Sequence, residues 1–137
     1  MRIMGIDYGD ARTGIAISDL LCSIVGSTKV IHSRNRDKTL DEIMKIIKEN
    51  EIGEIVVGLP KNMDGTEGAR AELCREFAGA LEKLSGLQVA LWDERRTTVE
   101  AHNILSMHNY HGKKRKDTVD AVAASLILEG YLAFRSR

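Results

Sequence analysis

Asp7 closes the first apolar run of the chain, in "GIDYGDARTGIAISD" (5 to 19), and a glycine-rich corner carrying Arg12 follows it directly. A carboxylate there could hold a metal ion, face phosphates through one, or open a tight turn. Two distant segments supply further acids. Asp93 and Glu94 follow the apolar run "LQVALW" (87 to 92), and Asp117 and Asp120 stand at i and i+3 in "KKRKDTVDAVAA", on one helical face. If the strands behind Asp7 and Glu94 run parallel, their terminal acids share the sheet rim where α/β proteins collect ligands. Carboxylates packed together raise each other's pKa unless a cation neutralises them. An oxygen-only set suits Mg²⁺ or Mn²⁺. Histidines are few and cluster at His108 and His111, which argues against zinc. Two such ions about 4 Å apart would activate a water and stabilise the leaving oxygen of an in-line phosphodiester displacement.

Each acid also has a plain structural account. Asp7 could be a turn former, Glu94 a partner of Arg95 or Arg96, and Asp117 a helix N-cap. Asp120 precedes "AVAA" in a helix expected to be buried, where an unpaired acid is costly. For Asp120, chemistry is the better account.

The elements that must position these acids can be read from periodicity. Residues 2 to 7, 13 to 18 and 23 to 31 read as three strands in an antiparallel meander. Leu40, Ile43, Met44 and Ile47 then recur at helical spacing, with Thr39 and Glu42 set as a capping box and Gly53 as the stop. "EIVVGLP" (54 to 60) reads as a strand covered on both faces. The polar loop "KNMDGTEG" follows; it suits close backbone approach to a ligand but has no P-loop pattern. Leu73, Phe77, Leu81 and Leu84 then mark a helix ending near Gly86, and residues 87 to 92 a second buried strand. Thr97 and Glu100 can cap a helix reaching Met107, and the last helix is expected from Asp117 to Phe134, inside the molecule. The predicted fold class is α/β: a five-stranded mixed sheet, antiparallel β1-β2-β3 and then parallel β4 and β5, flanked by helices.

At 137 residues with 43% apolar and 29% charged side chains, one soluble domain over 1–137 is expected. No apolar run approaches the ~20 residues that span a membrane, and the N-terminus lacks a signal-peptide core, so the expected location is cytoplasmic. Cys22 and Cys74 have no zinc-like spacing and read as buried free thiols. Twenty basic and twenty acidic side chains cancel, yet "RNRDK", "ERR" and "GKKRK" form local basic clusters.

Four blocks in order, "GIDYGDARTGIAISD", "VVGLPKNMDGTEG", "DERRTT" and "KKRKDTVDAVAASLILEGYL", resemble the YqgF (RuvX) family over nearly the whole chain. These are ribonuclease H-like proteins related to the Holliday-junction resolvase RuvC. The resemblance implies a nuclease acting at the 5′ end of pre-16S ribosomal RNA, with resolution of four-way DNA junctions as the alternative. It implies catalytic and metal-ligating roles for Asp7, Glu94 and Asp120, and a paired role for Asp117, with one or two Mg²⁺ or Mn²⁺ ions. One departure stands out. The resolvases' second acid ends the fourth strand, whereas here that strand ends "VVGLP" and Glu94 stands on its neighbour.

Arg12 could reach a scissile phosphate, and Arg95, Lys113, Lys114, Arg115 and Lys116 could neutralise phosphates on either side. The expected partner is nucleic acid, precursor ribosomal RNA or branched DNA, with no membrane; monomer and homodimer both stay open. Two other classes compete. "DYGDARTG" resembles the phosphate loop of actin-like or sugar-kinase-like ATPases, which need two such domains around a cleft. A non-catalytic nucleic-acid- or protein-binding module of the same fold fits the neutral net charge.

Overall fold

The structure, a computed structural model, describes residues 1–96 and 112–136, the latter with side chains from 116 onward. Its elements are β1 (Arg2–Asp7), β2 (Arg12–Ser18), β3 (Val25–His32), α1 (Arg36–Glu49), β4 (Ile52–Leu59), α2 (Ala69–Ser85), β5 (Val89–Asp93), a 3₁₀ turn (Glu94–Arg96) and α3 (Gly112–Arg135). The five strands form one sheet in the order β3-β2-β1-β4-β5. β1 pairs antiparallel with β2, and β2 with β3, while β4 runs parallel to both β1 and β5. This is the expected mixed sheet.

The period-2 alternation of strands sends neighbouring side chains to opposite faces. Met4, Ile6, Ile15, Ile55 and Val57 face α1 and α2, where Leu40, Ile43, Phe77 and Leu81 close the larger core. Ile3, Ala16 and Val56 face α3 and meet Ala124, Ile127, Leu128 and Leu132. Burying Phe77 completely contributes about 2–3 kcal/mol. Its ring stacks on Tyr8 at a centroid distance of 4.0 Å, which ties the core to the residue after Asp7.

Several boundaries differ from the sequence expectation. α1 starts at Asn35, whose side chain accepts the Lys38 N–H at 3.0 Å; Thr39 lies a turn inside and its hydroxyl donates to the Asn35 carbonyl. The helix stops at Asn50, with Glu51 in the left-handed region at φ 54°, and Gly53 belongs to β4. α2 does end at Gly86, at φ 70°. Its buried stripe is Ala71, Cys74, Phe77, Ala78 and Leu81, while Leu73 and Leu84 are exposed, so the inward face is rotated toward the small residues. β5 is an edge strand, and only Trp92 on it is fully covered. α3 begins five residues before Asp117, which is therefore no N-cap, and it lies on the sheet with one face rather than inside the molecule. The thiol of Cys74 is buried and that of Cys22 half-buried, and both are free. The helix expected from Thr97 to Met107 falls outside the described residues. Among those described, no helix is long and apolar enough to cross a membrane.

Candidate active site

The parallel strands β1, β4 and β5 end on the same rim of the sheet. Asp7 is the last residue of β1. On β5, Leu59 of β4 pairs with Asp93, and the chain then turns through Glu94–Arg96. This turn swings the Glu94 carboxyl back over β4. A Cβ on Gly58 would stand 2.5 Å from Glu94 Oε1, so glycine is the residue that leaves room for it. Glu94 and Asp7 hydrogen-bond carboxyl to carboxyl. Burial, then the charges of Glu94 and Asp120, push Asp7 up to about 7, although Arg70 opposes them. Burial also raises Glu94, against relief from the Asp7 hydrogen bond and from Arg70. Burial and like charge thus favour retention of a proton by the pair as a whole.

The acids of α3 reach the same rim differently. A Cβ on Gly14 would lie 2.2 Å from the Asp120 carbonyl oxygen, so this turn of α3 is seated directly on β2. Asp120 Oδ2 accepts the Arg12 Nε–H at 2.7 Å. One turn earlier, Asp117 Oδ2 lies 3.0 Å from His32 Nε2, while its buried Oδ1 has no partner among the described residues. Arg12 and His32 are cross-strand neighbours, so β2 and β3 offer two basic groups side by side to the i, i+3 acids. Both oxygens of Asp93 accept from the Arg95 guanidinium, the shortest bond being 2.7 Å, and this guanidinium holds the acid down at about 2. Arg96 stacks over Trp92 at 4.9 Å, so neither arginine neutralises Glu94.

Asp7, Tyr8, Asp10, Arg12, Arg70 and Asp120 line an open cleft of about 370 Å³. A hollow of about 430 Å³ between β3 and α1 is slightly larger, but its charged residues lie away from the perturbed carboxyls. Arg70 is the residue that sequence reading passed over. It stands in the first turn of α2, bonds the Tyr8 carbonyl and Asp10 Oδ1, and faces both Asp7 and Glu94 electrostatically. Its signal was the loop "KNMDGTEG", which delivers the α2 N-terminus to the rim. That loop closes on itself through Asn62 and Thr66, and its Met63 carbonyl accepts from Arg95.

The convergence expected of the acids is therefore partial. Asp7 and Glu94 are joined and Asp120 faces them, but Asp120 and Asp117 are each held by a basic group. Among the described residues no three Asp, Glu, His or Cys side chains are placed to share one ion. Arg95 is committed to Asp93, and Lys116 is exposed near the start of α3. The side chains of Lys113, Lys114 and Arg115 lie outside the described residues.

Known proteins place this geometry. The RuvX family profile, described as Holliday junction resolvase, matches residues 1–134. A Halothermothrix orenii protein named "Putative pre-16S rRNA nuclease" is 47% identical, covering 100% of this chain and 98% of its own. One of the same name from Carboxydothermus hydrogenoformans is 43% identical, covering 100% and 99%. Among solved structures, Thermus thermophilus RuvC in complex with a Holliday junction substrate superposes with a TM-score of 0.65 at 12% identity, over 99% of this chain and 96% of that one. The fowlpox virus Holliday junction resolvase gives 0.59 at 12% identity, over 98% and 99%. At these identities the two resolvases establish the fold, ribonuclease H-like and RuvC-like, while the near relatives establish more: this chain belongs to the RuvX family, a family of nucleases and so of hydrolases acting on ester bonds.

Proposed function

We propose that this chain is a divalent-metal-dependent nuclease, one domain over residues 1–137, that hydrolyses phosphodiester bonds in the 5′-end processing of pre-16S ribosomal RNA. The observation that carries this reading is the Asp7–Glu94 pair, two desolvated carboxyls brought together at the end of the parallel strands, where Gly58 leaves room for Glu94. Such a pair has an unmet demand for positive charge. Its donors are oxygens only, which fits Mg²⁺ or Mn²⁺. Asp7 and Glu94 would hold the ion, with Asp120 as the third ligand. When bound, the ion lowers the pKa of a coordinated water and neutralises the leaving oxygen. In such a hydrolysis a water oxygen would add to phosphorus as the ester P–O bond breaks, and the proton given up by the water would balance the one taken up by the leaving oxygen. Arg70, beside both acids, offsets the charge of the arriving phosphate. Arg12 and Lys113 to Lys116 contact backbone phosphates on either side, joined by Arg95 where a phosphate draws it from Asp93, which gives affinity without sequence preference and a steep salt dependence.

The description of the family favours a second substrate, a four-way DNA junction. Paired symmetric cuts there need a two-fold dimer. The test is cleavage of a labelled precursor leader RNA and a labelled four-way junction in Mg²⁺ or Mn²⁺. Wild type is compared with a triple variant, Asp7→Asn, Glu94→Gln and Asp120→Asn. RNA cleavage that disappears in the variant supports the reading. Paired junction cuts transfer it to resolvase action. No cleavage of either substrate by wild type overturns it in favour of a binding module.

A further inference from the structure

The Arg12–Asp120 pair differs from an ordinary surface ion pair in where it stands. Both side chains line the cleft beside Asp7, and Asp120 is near enough for its charge to raise that acid. The pair is partly exposed, at 30% for Arg12 and 18% for Asp120, so solvent screens it and exchange is cheap. The two ends of Asp120 have unequal freedom. Its backbone is pinned where α3 sits on Gly14. Its carboxyl can still turn about its own side-chain torsions, and Arg12 reaches it on a long flexible stem. Asp7 and Glu94 alone offer a cation two side chains, and Asp120 is the nearby acid held back from them.

We propose that Arg12 and a divalent cation compete for the Asp120 carboxylate, and that cation binding passes the Arg12 guanidinium to a substrate phosphate. This rests on the metal-dependent reading above. A guanidinium released from a carboxylate has the donor fork that phosphate oxygens match, so its second partner has the same chemistry as its first. Binding of the cation and of the phosphate then help each other, and linkage makes that help reciprocal. Arg12 is in this account a positioning residue for Asp120 before loading and a phosphate ligand afterwards.

The test is calorimetric titration of the full chain with Mn²⁺ alone, for wild type, Arg12→Lys and Arg12→Gln, each with Asp120 intact or changed to Asn. Affinity is expected to rise from wild type through Arg12→Lys to Arg12→Gln, by about fivefold or more at the end of the series. With Asp120→Asn the three are expected to coincide. Equal affinities of the three chains that keep Asp120 overturn the competition. So does the same gain in both series, which would mean that Arg12 merely repels the ion. If Arg12→Gln does not fold, the wild type and Arg12→Lys comparison carries the same two outcomes. Wild type that binds no Mn²⁺ overturns the metal-dependent reading itself, a separate and recognisable failure. A second readout is the affinity for a labelled RNA hairpin with and without Ca²⁺. Ca²⁺ is expected to tighten binding by wild type and not by Arg12→Gln; an equal gain in both overturns the transfer to phosphate.

Discussion

Two pairs of acids share one rim of the sheet, and the protein treats them oppositely. Asp7 and Glu94, at the ends of β1 and β5, face each other with burial and like charge raising both and Arg70 opposing. Asp117 and Asp120, on α3, each have a basic partner supplied by the adjacent strands β3 and β2. The first pair is held in tension and the second is partnered. Burying like charges together is costly to a fold, so the strand pair is where function is expected, and the helix pair is where the fold secures α3. Asp120 belongs to both regimes, because it is paired with Arg12 and still acts on Asp7.

The largest expected contrast lies in activity. Asp7→Asn should lower phosphodiester cleavage about a hundredfold or more, whereas Asp117→Asn should change it by less than about tenfold, since one of its oxygens is spent on His32. Single-turnover rates of the two variants measure this. Comparable losses would erase the distinction between the pairs.

The next contrast is in pH dependence. In the metal-free chain Asp7 has a folded pKa of about 7, above its ordinary 3.8, so between these values the folded state keeps a proton that the unfolded state releases. Stability therefore falls as pH rises from about 4 to 7, with a slope of up to about 1.4 kcal/mol per unit. Glu94, also raised, adds to the same trend. Asp93 works the other way: held down at about 2 by Arg95, it contributes stability above about 4 that is lost on further acidification. Melting temperature in EDTA should thus peak near pH 4–5 and decline toward neutrality, and Asp7→Asn should flatten the decline. A wild-type curve that is flat from pH 5 to 7 would show that the carboxyl pair carries no strain.

This division was only half legible in the sequence. The mixed sheet follows from strand periodicity. Once its strands are taken as parallel, the common rim of Asp7 and Glu94 follows from the rule that ligands gather at the carboxyl ends of parallel strands. The order β3-β2-β1-β4-β5 comes from the structure. The charge state of the acids follows from neither rule, because it depends on which cation each one meets in space. Arg12 lies 108 positions from Asp120 and His32 lies 85 from Asp117, and no spacing rule connects them. Arg95 is expected at a phosphate, and its pairing with the carboxylate two residues before it could not be read from the residue type alone. Arg70 was hidden for the opposite reason: a lone arginine in a helix's first turn looks like any solvated charge until α2 is packed. The boundary errors have local causes. Asn35 was overlooked as the cap of α1 because Thr39 and Glu42 satisfied the same motif one turn too late. The stripe of α2 was misread because Ala71 and Cys74, small enough to lie against the sheet, carry a weaker apolar signal than the exposed Leu73 and Leu84.

A smaller effect tests how the strand pair is built. Gly58→Ala would place a methyl group 2.5 Å from Glu94 Oε1 and 2.5 Å from Ile127 Cδ1. Both neighbours are side-chain ends and can move, so the expected cost is about 1–3 kcal/mol of stability. The displaced Glu94 should also lose its hold on Asp7, and Mn²⁺ affinity should fall with the melting temperature. Loss of stability with metal affinity intact would show that Gly58 serves the packing of α3 and leaves the acids alone.

The smallest effect belongs to the outermost pair. His32 and Asp117 are 42% and 35% exposed, a range in which solvent screens most of the attraction. His32→Gln should therefore cost no more than about 1 kcal/mol and leave the cleavage rate within about twofold. Yet among the described residues Asp117 Oδ1 is buried without a partner, so the compensation they supply to Asp117 comes through the other oxygen. Asp117→Asn in the His32→Gln background should recover part of that loss, because an amide needs less compensation than a carboxylate in the same place. Denaturant unfolding of the two singles and the double measures the coupling. A cleavage rate that falls steeply with His32→Gln would move Asp117 from the anchoring of α3 into the chemistry, and the rim would then hold four working acids rather than a strained pair and a partnered one.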